Sequence, residues 1–404
     1  MSGYSNNMSF CRITKEKIPE IMSFGSMPLA NGFLKKNQFK NEYFFDLKVA
    51  FNKKLSLFQL TKNPNPKKMF NKNYPFYTSG SKHMIYHFAD FANFIKEKYL
   101  KKGSILELGS NDGTFLKNFK NNDHIGFEPS KNVHTIAKKN KINSINKFFN
   151  KINCKKILKK KKFEVIVGSN VFCHIPNQNE LIKAIDNSLS ENGTLIFEDP
   201  YLGSMYEKTS YDQIYDEHIY MFSASSVQKI YQRFGFELID AIPQKTHGGS
   251  LRYIIKRKDK AKKTQRLLNI LKNEKNKKID NITGSINFKN KVFKSRIKIL
   301  KILNQIKKRN EKICGYGATS KSTTILNFCK INNKIIDCIY DTTPKKIGKY
   351  SPGMHIPIIN YKNFKNSKYK YVFLFAWNHK DEILKKEKSQ KKIKWLTHLN
   401  LKKS

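Results

Sequence analysis

The sequence predicts an α/β protein built on a doubly wound, seven-stranded sheet, with a small irregular module in front and a second, Rossmann-like α/β domain behind. Three observations carry that expectation. An apolar run enters a glycine turn at Ile105-Leu-Glu-Leu-Gly-Ser-Asn-Asp-Gly-Thr-Phe115, and a second run, His124-Ile-Gly-Phe-Glu128, closes on an acid. From Ser104 onward short apolar runs alternate with helical periodicity. A strand, a glycine pair and a helix then restart around Gly315-Tyr-Gly317.

Taken in order, residues 1–85 are loop-rich, with Gly25, Pro28, Gly32, Pro64, Pro66 and Pro75 punctuating short apolar runs such as 55–60. A central domain is expected over 86–256. Its strands fall at 105–108, 124–128, 164–168 and 194–198, and its helices over 115–119, 133–139 and 180–189. A polar, tyrosine-rich insertion follows Tyr201, then a helix over 224–234 and two runs, 237–242 and 251–255, that return as a hairpin. Residues 257–310 read as charged helix, with Val292, Ile299 and Ile306 at heptad spacing. That stripe either packs on its own protein or forms a dimer seam, so a monomer or a homodimer is expected. The last domain, 311–404, has strands at 312–316, 335–340 and 371–375, with a helix ending at Phe328.

The glycine turn also specifies a ligand. Glu128, about 20 residues past the turn by the usual rule, is placed to take both hydroxyls of a ribose. A dinucleotide turn offers bare backbone N–H groups to a pyrophosphate, whereas this one reads E-x-G-x-x-x-G and brings Glu107 and Asp112 close. Two acids repel a pyrophosphate and suit the cationic methionine end of S-adenosylmethionine. Glu107, Gly109, Asn111, Asp112, Gly113 and Glu128 are the expected cofactor contacts, joined by Asn170 after the fourth strand. The plainer alternative makes Asp112-Gly113 an ordinary turn.

Composition narrows the partners. No window approaches the roughly 18 consecutive apolar residues of a membrane helix, and no apolar stretch follows a basic N-terminus, so a cytoplasmic protein without membrane contact is expected. The cysteines at 11, 154, 173, 314, 329 and 338 show no pairing rhythm, which points to reduced thiols. Against 31 acidic side chains stand 78 basic ones, a net charge of +47. Those lysines are spread over every segment and arginine is sparse, so the charge reads as a solvated surface with no specific nucleic-acid partner. An anionic substrate would still be drawn to it.

The chemistry concentrates in Tyr211-Asp-Gln-Ile-Tyr-Asp-Glu-His-Ile-Tyr-Met-Phe222, just beyond the fifth strand's carboxyl end, where open α/β sheets bind ligands. The imidazole of His218 suits proton abstraction near neutral pH, and Glu217 or Tyr215 can orient it or hold an oxyanion. His174 follows the fourth strand and faces the same side. Thr246-His-Gly-Gly-Ser-Leu-Arg252 is either a tight turn or a place where a ligand meets backbone N–H groups and Arg252 meets an anion. The loop from Gly315 to Lys321 either holds a phosphate at a helix N-terminus or is a capped turn.

These residues carry a resemblance. The chain resembles the S-adenosylmethionine-dependent sugar C-methyltransferases, which act on nucleotide-linked 4-keto-deoxysugars, over nearly its whole length. The matching motifs are Phe24-Gly-Ser-Met-Pro-Leu-Ala-Asn-Gly-Phe33, Tyr74-Pro-Phe-Tyr-Thr-Ser-Gly-Ser81, Glu107 to Gly113, Asn170 to His174, Tyr215 to His218, His247-Gly-Gly-Ser250, Gly315-Tyr-Gly-Ala-Thr-Ser-Lys321, Ser351-Pro-Gly-Met-His-Ile-Pro357 and Ala376-Trp-Asn378. The resemblance implies a class I methyltransferase sheet, with His218 as the base that deprotonates the carbon beside the keto group and Tyr215 and Glu217 in support. It places His174 and a tyrosine of the Tyr74 to Tyr77 segment in the same pocket, with Tyr77 preferred over Tyr74. His247, Gly248, Gly249, Ser250, Arg252, Lys321 and Asn378 are the implied contacts to a nucleotide-sugar. One departure stands out. The family's N-terminal module holds zinc with two C-x-x-C pairs, but here Cys11 remains alone, Thr14 stands where its partner would be, and the second pair falls near Asn52 and Leu55. A single thiolate cannot hold tetrahedral zinc, so no metal is expected. An O- or N-methyltransferase of similar fold and a non-enzymatic nucleic-acid-binding protein are the competing classes.

Overall fold

A computed structural model describes residues 7–70, 74–388 and 392–399. Its central sheet runs, edge to edge, through strands Ser144–Ile145, Asp123–Phe127, Ser104–Leu108, Phe163–Ser169, Leu189–Pro200, Ser250–Arg257 and Phe236–Gln244. The first five neighbours pair parallel and the last two strands return antiparallel. In chain order this is 3-2-1-4-5-7-6, the doubly wound arrangement expected, with its switch point beside Ser104–Leu108. The inner strands read as unbroken apolar runs because helices cover both faces: Ile105, Leu106, Val165, Ile166 and Ile196 are fully buried.

Helix Lys82–Lys98 crosses the boundary the sequence suggested at residue 85. Ser81 caps it by accepting from the Met84 N–H, and Met84, Phe88, Phe91, Ala92 and Ile95 form its buried face. The expected helix over 115–119 is a single 3-10 turn, Leu116–Phe119.

The N-terminal module is more regular than its sequence. Strands Met8–Phe10, Lys17–Pro28, Phe44–Asn52 and Leu57–Leu60 form an antiparallel sheet, hidden from a period-two reading by register shifts between Glu20 and Met22 and between Ser23 and Gly25. Its fifth strand, Tyr220–Met221, comes from the insertion after residue 201 and pairs with Phe58 and Gln59. The module and the chemical loop therefore share one sheet.

Where zinc would sit, hydrogen bonds close the module. The Thr14 N–H and the Gln59 amide both donate to Cys11 Sγ, the Asn52 amide donates to Thr14 Oγ1, and the Leu55 N–H donates to Asn52 Oδ1. One sulfur, one hydroxyl, one amide and one alkyl side chain do not make a tetrahedral zinc set.

Helices Gln265–Asn276 and Ile282–Lys308 form the connector. Phe288, Val292, Ile299, Leu303 and Ile306 of the second helix are buried in one cluster with Phe58, Tyr206 and Phe328. The heptad stripe is covered by its own chain, which removes it as a dimer seam. In the C-terminal domain five parallel strands lie in the order Ile358–Asn360, Ile339–Asp341, Ile313–Tyr316, Tyr371–Leu374, Lys394–Leu396. The strand expected at 335–340 is only Ile339–Asp341, because the Ile335 and Ile336 N–H groups turn back onto the Asn332 carbonyl. Among the described residues no helix is long and apolar enough to cross a membrane.

Candidate active site

The carboxyl ends of the central strands open into a cavity of about 840 Å³ walled by the N-terminal module, the central domain and the C-terminal domain. Glu107, Gly109, Asn111 and Glu128 line it from the first two strands, Tyr215, Glu217 and His218 from the insertion loop, and Lys321, Lys346 and Asn378 from the C-terminal domain.

The glycine turn reaches the cavity wall through Glu107, Gly109 and Asn111, while two of its expected contacts do not reach it. Gly109 adopts φ +66°, and a Cβ there would strike Val171, so only glycine lets the chain turn at the cavity wall. Glu128 Oε2 accepts from the Asn111 N–H at 3.0 Å and Oε1 from the Ser130 N–H at 2.7 Å, which fixes the carboxyl with lone pairs to spare. Asp112, however, does not line the cavity. Its carboxylate takes the N–H groups of Thr114 and Ser79 and so anchors the strap that carries residues 74–81. Gly113 is also removed from the ligand: its φ of +81° and its contact with Ile142 serve helix-to-strand packing.

Glu107 Oε2 is buried and has no hydrogen-bond partner among the described residues. Burial first, then Asp112 and Glu128, pushes the Glu107 carboxyl well above its usual range. Burial raises Glu128 as well. Crowded buried acids with an unmet acceptor fit a ligand that brings positive charge and N–H donors, as S-adenosylmethionine does, and would oppose a pyrophosphate.

His218 sits within a stack of rings. Tyr215 lies 4.2 Å on one side, and His174 lies 5.3 Å away at 25°, itself stacked 5.7 Å from Phe70. His218 Nδ1 is 2.7 Å from the Gln213 carbonyl, which can only accept, so the proton is assigned to Nδ1 and Nε2 keeps its lone pair. The Tyr215 hydroxyl donates to that lone pair at 2.9 Å. Burial first, then His174, lowers His218 well below the usual imidazole range, and burial brings His174 to about 4. Both rings are neutral at physiological pH, which a proton acceptor requires. Glu217 accepts from the Asn31 amide at 2.8 Å, and burial followed by Asp216 raises it to about 8.

Cys173, His174 and His218 bring possible ligand atoms within 4.8 Å. They do not fit a metal ion: the two imidazoles lie stacked, so their lone pairs run side by side rather than converging, and burial followed by Asp199 keeps the thiol protonated.

Both strap tyrosines line the cavity. The Tyr77 hydroxyl is held by the Asn132 amide and the Lys345 ammonium, whereas Tyr74 is raised by burial, then by Glu217 and Glu128. The expected contacts of Gly248, Gly249, Ser250 and Arg252 are also corrected. Arg252 pairs with Glu198 at 2.7 Å and stacks on Phe91, buried inside the central domain. Gly248 abuts the Trp377 ring, Gly249 abuts Ser204, and Ser250 Oγ donates to the Thr246 carbonyl. Only His247 of that loop reaches the cavity, where Asn170 Nδ2 contacts its Nε2 at 2.8 Å. Lys321 and Asn378 do line it; the Lys321 ammonium lies over Trp377 and reaches the His247 carbonyl at 3.4 Å. Asn31, Tyr74, Phe70 and Lys346 are lining residues that the sequence reading left unassigned. The first two stand in motifs it had marked, but nothing local ties residue 31 to residue 217.

Family models match the chain in three consecutive parts: "Putative zinc binding domain" over residues 11–70, "Methyltransferase domain" over 81–241 and "C-methyltransferase C-terminal domain" over 245–399. Among curated proteins, C-methyltransferase NovU of Streptomyces niveus is 26% identical over 377 residues, 91% of this chain and 89% of its own length. Two similar solved structures each cover less than half of the chain. The plantazolicin methyltransferase BpumL bound to SAH matches at 17% identity with a TM-score of 0.34, over 42% of this chain and 82% of its own. A methyltransferase from Clostridium acetobutylicum matches at 12% with a TM-score of 0.34, over 44% and 93%. The strand order and the acid-lined turn define an S-adenosylmethionine-dependent methyltransferase. Within that class, the chain is similar to C-methyltransferases: a zinc-binding-type match precedes the methyltransferase domain, a C-methyltransferase C-terminal match follows it, and NovU is similar over nearly the full length.

Proposed function

We propose that the protein methylates carbon on a nucleotide-linked keto-deoxysugar by way of an enolate. The observation that carries this reading is the neutral Tyr215–His218 pair, which lines the same cavity as the acid-lined turn and the lysines of the C-terminal domain. S-adenosylmethionine, held by Glu107, Asn111 and Glu128, supplies an electrophilic sulfonium methyl. Its attack by carbon requires a carbanion, and a base must first remove a proton.

His218 Nε2 takes that proton from the carbon beside the keto group, and the C–H electron pair moves onto the carbonyl oxygen. For this the Tyr215 hydroxyl shifts its hydrogen bond from Nε2 to the acceptor's carbonyl oxygen as the acceptor enters, which leaves the Nε2 lone pair open for the proton and puts a donor on the developing oxyanion. Lys321 and Lys346 suit the anionic end of the acceptor. Burial, and then Lys208, lowers Lys321, while Asp212 opposes the fall. NovU is a C-methyltransferase by name, and its near-full-length similarity favours carbon over oxygen or nitrogen as the acceptor atom.

The test is S-adenosylhomocysteine release against a panel of nucleotide-linked keto-sugars and their reduced alcohols. Turnover should depend on the ketone; equal turnover of the alcohols would overturn the reading. The pH profile is a further expectation. His218, depressed by burial, stays neutral down to low pH, so the acid limb of kcat should fall below the ordinary imidazole range. Glu217, raised to about 8, carries its proton at neutrality and loses it as pH rises through that value, so kcat should decline on the alkaline side. Glu217→Gln should abolish the alkaline decline.

A further inference from the structure

Besides Pro66, Phe70 and the strap after them, the N-terminal module brings one turn of its sheet to the cavity. The tight turn Leu29 to Gly32, closed by the Gly32 N–H on the Leu29 carbonyl, is wedged between the 215–218 loop and the helix Ser320–Phe328. The backbone of Ala30 and the side chain of Asn31 at its tip are both engaged. The Ala30 N–H donates to Asp216 Oδ1 at 2.9 Å, and the Ala30 carbonyl accepts from Thr323 Oγ1 at 2.9 Å. The Asn31 amide donates to Glu217 Oε1 at 2.8 Å, while its own oxygen accepts from Ser320 Oγ at 2.8 Å. Asn31 and Glu217 both line the cavity, and Glu217 Oε2 has no hydrogen-bond partner among the described residues.

We propose that Asn31 is a positioning residue for methyl transfer: its amide, braced by Ser320, holds one oxygen of Glu217 so that the other meets the acceptor's carbonyl oxygen. This rests on the enolate reading above. Without the brace, a carboxyl fixed only through its own side-chain torsions would sample orientations that miss the developing charge, and catalytic donors act through fixed geometry. The module that lacks a zinc set thus keeps a task in the reaction. It carries the hydrogen bond that holds a proton-bearing carboxyl across 186 residues of sequence.

The arrangement predicts a signature that mere loosening would not give. The groups facing Glu217 are Asp216 beside it, Tyr215 on the same loop, Tyr74 on the strap and Cys173 on the strand-four loop; Asn31 contributes the hydrogen bond that favours the ionised carboxyl. Asn31→Ala should therefore lower kcat about 10- to 100-fold, in line with the loss of one oriented catalytic hydrogen bond, and move the alkaline limb upward. Asn31→Asp, nearly isosteric and able to keep the Ser320 contact, should do the same and guards against a folding defect. In both variants the thermal shift caused by S-adenosylmethionine should match wild type, and selective ¹³C-carboxyl titration, assigned with Glu217→Gln, should show the Glu217 midpoint raised. A wild-type enzyme that turns over a keto-sugar, with Asn31→Ala matching its kcat or leaving the Glu217 titration in place, overturns this proposal alone. Failure of the wild-type chain to turn over any keto-sugar overturns the enolate reading and this proposal with it.

Discussion

Replacing His218 with alanine is expected to lower methyl transfer about 10²- to 10⁴-fold while leaving S-adenosylmethionine binding intact, because general-base catalysis is worth that much and the ring touches no part of the acid-lined turn. Nδ1 is committed to the Gln213 carbonyl, so Nε2 is the one basic atom the ring presents. Alanine removes it and leaves the Tyr215 hydroxyl without an acceptor. The neighbouring His174 does not substitute: its ring is stacked alongside His218, 5.3 Å away, and so presents no nitrogen at the place Nε2 occupies. Single-turnover rates beside donor-dependent thermal shifts separate the two effects. Near-normal turnover with normal binding would show that proton removal is not the task of this ring.

Glu107→Gln is expected to weaken S-adenosylmethionine about 10- to 100-fold without destabilising the fold. Hydrogen bonds from a charged group are worth roughly 1.5–3 kcal/mol, and one such bond lost corresponds to a factor of that size in affinity. The Glu107 oxygen that should accept from the ligand has no partner among the described residues, so the substitution breaks no hydrogen bond to it there. It also removes a carboxyl that burial, Asp112 and Glu128 all push toward its neutral form. Unfolding temperature without ligand should therefore hold or rise, while calorimetric affinity falls. A matched loss of stability would assign Glu107 to the core instead.

The fold was legible where apolar runs are unbroken. Ile105 to Leu108, Val165 to Val167 and Leu195 to Phe197 are buried on both faces, so no competing pattern disguises them. The N-terminal sheet was not legible, since its bulges near Met22 and Gly25 break the alternation on which strand reading depends. In the site, Glu107, Glu128, His174, Glu217 and His218 were recognisable from residue type and from their place after strand ends. The errors share one cause. Asp112, Arg252 and the Gly248-Gly249 pair look like ligand groups in sequence, yet each is satisfied by a residue far along the chain: Ser79, Glu198, and Trp377 with Ser204. Asn31 was missed for the same reason in reverse, because its partner is Glu217.

The central claim is that His218 strips a proton from an acidified carbon before the methyl arrives. Exchange of that proton reads it directly: the keto-sugar is incubated in D₂O with enzyme and S-adenosylhomocysteine, so that no methyl can follow, and deuterium at the carbon beside the ketone is followed by NMR. The account predicts incorporation with the wild-type chain and none above background with His218→Ala. A wild-type enzyme that methylates the sugar without exchanging that hydrogen, or a His218→Ala variant that exchanges it at the wild-type rate, would contradict it.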